Sequence, residues 1–270
     1  MMTTDNSMTN GSTNFLLPAL TLCRRELVRF IRQRSRMIGV IGSPLVFWFL
    51  IGSGLSGSFR HPSAPPEMNY LEYFFPGTIV LIILFTAIFS TISIIEDRKE
   101  GFLQSVIVAP ISRGSIALGK ILGGTVLALG QCLILLVIAP FIGISFSFIS
   151  LLIILGTLFI IAFGLTALGF LIAWRMDSTA GFHAIMNLFL IPLWLLSGAL
   201  FPASGAAGWL GIVMRFNPLT YGVAALRQAF YLSGSVATQE LTSLPINLGI
   251  IIFFALVGYV ACAATVKKQS

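Results

Sequence analysis

Charged residues are scarce in this sequence. Only 9% of its 270 residues are Asp, Glu, Lys or Arg, whereas soluble domains carry about a quarter. With 57% hydrophobic residues and a mean hydropathy of +0.97, too few charges remain to cover a surface that faces water. A soluble enzyme and a disordered chain are therefore both excluded, and lipid is the expected solvent for most of the chain.

The sequence also lacks the residue clusters that metal binding, nucleotide hydrolysis and nucleic-acid binding require. Three cysteines, Cys23, Cys132 and Cys262, lie far apart, which predicts packing residues and neither a disulfide framework nor a metal site. No G-x-x-x-x-G-K-[ST] motif occurs, so we expect no nucleotide hydrolysis in this chain by that route. The net charge of +7 lies in short segments between apolar runs, without a basic face carrying interleaved aromatics, and no nucleic-acid partner is expected.

Long apolar runs predict an all-α integral membrane protein with six transmembrane helices. About 20 residues of helix cross the roughly 30 Å hydrocarbon layer. Residues 121–174 form a stretch of 54 residues without any charge, which is long enough for two crossings separated by the Pro, Gly and Ser residues near 140–147. The predicted spans lie at about 37–55, 73–95, 121–142, 146–174, 184–202 and 246–266.

A shorter apolar piece, residues 203–214, is too short and too rich in Gly to cross. The Asn217-Pro218 pair ends this piece and starts another helix. The pattern predicts a re-entrant helical hairpin in the outer loop between the fifth and sixth spans, with Trp209 and Tyr221 at the membrane interface.

The distribution of Lys and Arg predicts the orientation. Six crossings place 13 of the 16 basic residues on the side of both termini and 3 on the other side. Because cytoplasmic loops carry the excess of positive charge, both termini are expected in the cytoplasm.

The segment before the first predicted span has two parts with different sequence patterns. Residues 1–18 are polar and are expected to be a flexible N-terminus. Residues 19–36 show apolar and basic residues at helical spacing, which predicts an amphipathic helix in the headgroup layer with its arginines toward anionic lipid. The alternative is an ordinary basic flank without a fixed helix. The arginines of this helix face are Arg25, Arg29, Arg32 and Arg36.

A dense cluster of mixed charge follows the second span. It precedes an amphipathic segment, residues 101–108, which Pro110 ends. A short helix with an apolar face at this place needs a soluble partner to pack on, although a solvated charge run is the alternative. The residues of this candidate docking loop are Glu96, Asp97, Arg98, Lys99, Glu100, Gly101 and Phe102.

Polar and aromatic residues inside the spans are candidates for a substrate path. Gln131 and Asn187 are the most strongly polar residues inside the spans. For each of them, a hydrogen bond between helices is favoured over a contact with substrate. The aromatic residues suit a pliable apolar guest, but packing or lipid-facing bulk explains them at least as well. The candidates for this path are Phe85, Phe89, Asn187 and Trp194.

Three motifs carry a resemblance to a known family. The first is the segment 96–120, with E-D-R-x-x-G followed by A-P-I-S-R and G-K. The second is L-S-G-A-L-F-P at 196–202, and the third is N-P-L-T-Y at 217–221 followed by A-L-R-Q at 225–228. At this spacing the chain resembles the type-2 ATP-binding-cassette (ABC) transporter permeases, the membrane subunits of bacterial exporters, and among them most the daunorubicin-resistance-like drug exporters.

The resemblance implies a function and its partners. Two copies of the chain would pair in the bacterial inner membrane, and two copies of a separate cytoplasmic ABC ATPase would dock on the loop 96–102 and on the basic helix. ATP and Mg would be bound by that partner, so no cofactor is expected in this chain. The spans that line the dimer interface, chiefly the second and fifth, would rock when ATP binds. The outer gate would comprise Trp209, Asn217, Pro218, Tyr221 and Arg227.

The expected function is export of a hydrophobic or amphipathic, drug-like or lipid-like substrate. Two alternatives stay open at this point. One is export of polysaccharide or lipid-linked glycan, and the other is a membrane scaffold that recruits a cytoplasmic protein without moving a solute. A membrane-embedded enzyme acting on lipid is disfavoured because paired carboxylates and a His cluster are lacking.

Overall fold

The computed structural model describes residues 15–55, 70–201, 208–232 and 242–268. Over these ranges the backbone is helical apart from short turns. The predicted N-terminal segment up to residue 14, Pro202 and the start of the predicted outer hairpin at 203–207 lie outside the described residues. The described α-helices are α1 Leu16–Arg32, α2 Arg34–Leu55, α3 Tyr70–Lys99, α4 Phe102–Val108, α5 Arg113–Ile138, α6 Phe148–Trp174, α7 Thr179–Leu195, α8 Gly208–Phe216, α9 Pro218–Phe230 and α10 Leu244–Lys268.

Five of the described helices are long and apolar enough to cross a membrane. They are α2, α3, α5 with the 3-10 turn that follows it, α6 and α10. The helix α7 is apolar but has only 17 residues, which corresponds to about 25 Å at the rise of an α-helix. The fifth predicted span, 184–202, therefore coincides with a shorter helix, and six crossings remain a prediction.

The third span differs from its prediction at its beginning. The helix α5 starts at Arg113, where the hydroxyl of Ser112 accepts a hydrogen bond from the Ser115 backbone N–H at 3.1 Å. Lys120, predicted to lie in the loop before the span, is therefore inside the helix, because a Ser cap starts the helix before the apolar run begins. At the other end Pro140 lies in a 3-10 turn that Gly143 ends with a φ of +88°.

The helix α3 forms the centre of the bundle. In its membrane-length segment 89% of the residues are buried, against 22% in α2 and in α10. It packs against α2, α5, α6, α7 and α9. Most side chains of α3 are therefore packed against other helices, whereas α2 and α10 present most of their surface outward.

The predicted interfacial helix over 19–36 is divided in two. The helix α1 ends at Arg32, and Gln33 adopts a non-helical conformation before α2 begins at Arg34. Arg36 was predicted on the same helix as Arg25, but it lies in α2. The break occurs because Gln33 turns its backbone N–H to the carbonyl of Phe30.

Two short helices, α8 and α9, follow α7 as the sequence predicts. Asn217 separates them, and its side chain accepts a hydrogen bond from the Leu219 backbone N–H at 2.9 Å, with Pro218 in the first turn of α9. Asn at the N-cap and Pro at the first helical position are the residues that such a start favours. That the pair re-enters a membrane remains a prediction.

Candidate functional site

A cluster of ionised side chains joins α1, α3 and α5. We call it the charged cluster: Arg25, Glu26, Arg29, Asp97 and Lys120. Arg25 binds the Asp97 carboxylate with both of its terminal nitrogens, at 2.7 and 2.8 Å. Arg29 donates to the same carboxylate at 2.6 Å, and Lys120 donates to it from a third helix. Lys120 also donates to Glu26 Oε1 at 2.5 Å.

The two carboxylates and the lysine of the charged cluster are buried, whereas Arg25 and Arg29 are partly exposed. Asp97 is 0% exposed, and Glu26 and Lys120 are each 5% exposed. Taking such charges out of water costs several kcal/mol per ion, and only close pairing with good geometry offsets that cost. The hydrogen bond to Asp97 raises the pKa of Arg25 above its ordinary value, and the nearby charges of Asp97, Glu26 and Glu100 act in the same direction, against the effect of burial. Arg25 therefore remains a cation.

Two glycines of α5 allow α1 to approach closely enough for these contacts. A Cβ at Gly119 would lie 2.6 Å from the carbonyl oxygen of Ala19, and a Cβ at Gly123 would lie 2.7 Å from Cβ of Glu26. Both distances are shorter than any real contact, so only glycine fits. The small-residue face of α5 thus brings Glu26 and Lys120 together.

The predicted docking loop is not one exposed segment. Glu96 to Lys99 form the last turn of α3, and Gly101 turns the chain with a φ of +77° into α4. The charges of this turn point in different directions because successive residues of a helix are 100° apart. Asp97 is buried, whereas the Glu100 side chain is 61% exposed.

The neighbours of Asp97 have partners of their own. Glu96 accepts a hydrogen bond from Arg29 at 2.9 Å, and Arg98 contacts Asp177 at 3.1 Å beyond α6. Phe102 lies under the guanidinium of Arg25, 3.6 Å from the ring centre. Among the predicted docking residues, Lys99 and Glu100 are therefore the exposed charges.

The predicted arginine face of α1 also needs correction. Arg25 and Arg29 were expected to point toward anionic lipid, but their guanidinium groups pair with the carboxylates of α3. The sequence pattern gave no counter-charge because Asp97 is 72 residues away from Arg25. Arg32 is exposed as predicted, and the side chain of Arg36 lies outside the described part.

At the opposite end of α3, one backbone carbonyl accepts hydrogen bonds from side chains of two helices. We call this the Gly198 junction: Tyr73, Gly198 and Arg227. The Gly198 carbonyl accepts hydrogen bonds from the Tyr73 hydroxyl at 3.3 Å and from Arg227 at 3.0 Å. The Arg227 guanidinium lies over the Tyr73 ring, 4.1 Å from its centre, and the residue is only 5% exposed. Gly198 has a φ of +81°, a conformation that favours glycine.

The other predicted gate residues lie on α8, on α9 or between them, and differ in exposure. The Asn217 side-chain amide donates to the Leu193 carbonyl at 2.6 Å, which ties α9 to the end of α7. The Tyr221 hydroxyl donates to the Arg215 carbonyl at 2.7 Å, and Pro218 lies in the first turn of α9. Trp209 is 69% exposed on α8. A gating role for these residues remains a prediction.

The predicted substrate-path residues differ in burial and in their contacts. Trp194 is buried and donates its indole N–H to the Gly77 carbonyl at 2.8 Å, which is a packing contact. Phe85 and Phe89 are partly buried, and the Phe89 ring lies 5.3 Å from that of His183. Asn187 is exposed on α7 and makes no hydrogen bond within the described residues.

The hydrogen bond predicted for Gln131 is confirmed. Its side-chain oxygen accepts from the Thr86 hydroxyl at 2.5 Å, so α5 is joined to α3 midway along both helices. The hydrogen bond predicted for Asn187 is absent from the described structure.

Sequence reasoning missed the roles of Glu26 and Lys120. Glu26 is the one acidic residue in α1, and Lys120 stands between Gly119 and Gly123 as the one charged residue of α5 after Arg113. A single acidic residue in one helix and a lysine flanked by glycines in another could have indicated an ion pair. Predicting that pair requires knowing that α1 packs on α5.

Comparison with known proteins identifies the family. The profile of the ABC-2 type transporter family matches residues 19–231, which is most of the chain. The chain is 30% identical, over 94% of its length and 90% of the relative's, to a putative transport permease, ycf38, of Cyanophora paradoxa.

Two other relatives carry the word permease in their names. One is the probable doxorubicin resistance ABC transporter permease protein DrrC of Mycobacterium tuberculosis, 24% identical over 93% of this chain and 91% of the relative. The other is the probable multidrug ABC transporter permease YbhR of Escherichia coli, 25% identical over 63% of this chain and 47% of the relative. With its apolar helices of membrane-spanning length, the chain is a multi-pass membrane protein that belongs to the ABC-2 type transporter family.

Proposed function

We propose that this chain is the permease subunit of an ATP-driven exporter whose ATPase is a separate cytoplasmic chain. The observation that carries the proposal is the family match over residues 19–231. The matched range includes α1, the charged cluster, α4 and the Gly198 junction. Two copies of the chain would form the membrane domain, and two ATPase copies would supply the energy of ATP binding and hydrolysis.

The docking surface of the ATPase is proposed at α4 and the end of α3. Leu103 holds α4 to the core, whereas Val108 is 86% exposed and Glu100 extends from the turn before it. An exposed aliphatic group beside an exposed carboxylate suits a protein partner with an apolar groove and a basic rim.

The charged cluster supports transmission from this surface into the membrane. Arg29 contacts Glu100 at 3.5 Å and Asp97 at 2.6 Å, so a force on the α3–α4 turn acts on α1 as well. Lys120 extends the same contacts to α5. A displacement of α4 by the ATPase would thus move α1, α3 and α5 together.

The proposed topology has six crossings, with α7 as the fifth. Both termini then lie in the cytoplasm of a bacterium, and α8 and α9 form a re-entrant hairpin on the outer side. The 13 to 3 division of basic residues supports this orientation.

The proposed substrate is hydrophobic or amphipathic and resembles a drug or a lipid. Relatives named for doxorubicin resistance and for multidrug transport support this class. The low charge of the helices also disfavours an anionic polymer as substrate. Growth of a deletion strain across panels of cationic amphiphiles and glycan-synthesis inhibitors separates the drug or lipid class from the polysaccharide alternative.

Reconstitution with a candidate ABC ATPase chain from the same organism tests the proposal. The parent pair in proteoliposomes should hydrolyse ATP faster than the ATPase alone. Val108→Asp and Glu100→Lys should each weaken association and abolish the stimulation, because they place charge at the docking surface while the buried contacts remain.

Leu232→Asp is the matched control. Leu232 is 48% exposed after α9, on the side proposed to be outside, and gains the same charge as Val108→Asp. It should leave association unchanged. Equal loss in both Asp variants would contradict docking at α4, and association without ATP-dependent solute movement would favour the scaffold.

A further inference from the structure

A cationic cavity lies beside α1 on its outward face. It encloses about 620 Å³, and four arginines contribute to its wall. The residues that matter for its chemistry are Arg24, Arg25, Arg29, Arg32, Gln33 and Glu100. Arg25, Arg29 and Glu100 belong to the contacts already described, but the proposed transport cycle gives no role to Arg24 or Arg32.

Two of the four arginines have no carboxylate partner. Arg25 and Arg29 are paired with Asp97 and with the glutamates around it. Arg24 and Arg32 are exposed and form no ion pair within the described residues. The cavity therefore has an excess of positive charge.

The spacing of the unpaired arginines focuses this charge. Arg24, Val28 and Arg32 follow one another at intervals of four residues, which places them along one face of α1. Arg24 and Arg32 are about 12 Å apart along the axis, so two long side chains can converge on one anion above Val28. Arginine is the residue best suited to phosphate because its planar fork matches two phosphate oxygens.

Exposed aliphatic side chains decide between a lipid and a soluble phosphate. Leu20 and Ile31 are each 57% exposed on α1, close in sequence to Arg24 and Arg32. Apolar groups beside arginines on an exposed helix face are typical of insertion at the headgroup boundary. A free phosphate gains nothing from them, whereas acyl chains cover them.

We propose that this cavity binds the phosphate-bearing headgroup of an anionic membrane phospholipid, held by Arg24 and Arg32, with the acyl chains against Leu20 and Ile31. The bound lipid completes the surface of α1 beside the charged cluster. The proposal does not rest on transport activity, and its test reads lipid binding directly.

The test is native mass spectrometry of the full chain in detergent, titrated with phosphatidylglycerol or with phosphatidylcholine. The parent should bind phosphatidylglycerol at least about tenfold more tightly than phosphatidylcholine. Arg24→Gln and Arg32→Gln should each weaken phosphatidylglycerol binding by about tenfold, since each removes one charge-assisted contact. Both residues are exposed, so the fold should persist, and unchanged elution in size-exclusion chromatography checks this.

Arg34→Gln is the matched control, because Arg34 is exposed on the neighbouring helix and does not line the cavity. It should change the affinity by less than about twofold, as expected for a screened surface charge. An equal loss in Arg34→Gln would overturn the proposal in favour of general surface charge. Displacement of the lipid by excess inorganic phosphate would overturn it in favour of a soluble anion.

One further outcome assigns the cavity to a protein. If Arg24→Gln and Arg32→Gln keep the parent affinity for phosphatidylglycerol but lose association with the ATPase, the cavity is part of the docking surface and the lipid proposal is wrong. If they lose lipid affinity and still associate with the ATPase, the lipid site is supported.

Discussion

The two ends of α3 are fixed by different kinds of contact. At one end the charged cluster holds Asp97 with three cations from α1 and α5. At the other end the Gly198 junction holds Tyr73 and Arg227 on a single backbone carbonyl. The first depends on the balance of side-chain charge, whereas the second depends on a backbone conformation that exposes a carbonyl.

The comparison indicates how α3 can move. Tyr73 and Asp97 lie 24 residues apart on one helix, about 36 Å at the α-helical rise. A helix attached near both ends moves as a rigid body together with its attachments. If α3 transmits a displacement across the membrane, α1 and α5 must follow at one end, and α9 with the α7–α8 turn must follow at the other.

The largest effect is expected from Asp97→Asn. It removes the carboxylate that Arg25, Arg29 and Lys120 share, and leaves the buried Lys120 and two partly exposed arginines without full compensation. Breaking a buried ion pair in this way costs about 3–5 kcal/mol. Equilibrium unfolding by sodium dodecyl sulfate in mixed micelles measures the free energy of unfolding.

Glu100→Gln is the control for Asp97→Asn. The Glu100 side chain is 61% exposed and 3.5 Å from Arg29, so its loss should cost less than about 1 kcal/mol. The double variant Asp97→Asn with Lys120→Met should lose less than the sum of the two single variants, because neither charge is then left alone. Additive losses would show that the two groups do not interact.

Much of the fold follows from hydropathy, whereas the partners of the charges do not. Apolar runs predict the long helices because each must bury its backbone polar groups, and the polar atom of Gln131 predicts a bond between helices for the same reason. The same reasoning placed Asp97 in a cytoplasmic docking loop, with a solvated charge run as the alternative. Its partner Arg25 is 72 residues away, and pairing over that distance depends on tertiary packing.

The Gly198 junction shows the same limit in another form. The predicted fifth span extends to residue 202, but α7 ends at Leu195 and Gly198 has a positive φ. The partners of its carbonyl come from Tyr73 and Arg227, each on another helix. No local sequence pattern predicts that side chains of two other helices donate hydrogen bonds to this carbonyl.

A smaller effect is expected from Gly198→Ala. The nearest atom to an added Cβ is Met214 Cε at 3.6 Å, so space is available and the cost is conformational. A left-handed conformation costs a residue with a Cβ roughly 1–2 kcal/mol. The free energy of unfolding should fall by that amount, and the two hydrogen bonds to the Gly198 carbonyl should weaken if the backbone relaxes.

Gly130→Ala is the control for Gly198→Ala. Gly130 lies within α5 with nothing within 4 Å of an added Cβ, and alanine is the better helix former by about 1 kcal/mol. This variant should be neutral or more stable than the parent. Destabilisation of both glycine variants to the same extent would show that the left-handed conformation at Gly198 is not what the junction requires.

The smallest effect is expected midway between the two ends, from Thr86→Val. The substitution keeps the shape of the side chain and removes the hydroxyl that donates to Gln131, a bond between α3 and α5 without charge. Interhelical hydrogen bonds in membranes contribute about 0.6 kcal/mol on average, well below the loss expected for Asp97→Asn. Thr125→Val is the control, since the buried Thr125 hydroxyl bonds only the Ile121 carbonyl of its own helix. A loss from Thr86→Val that exceeds the loss from Asp97→Asn would reverse the comparison, because α3 would then be held chiefly at its middle.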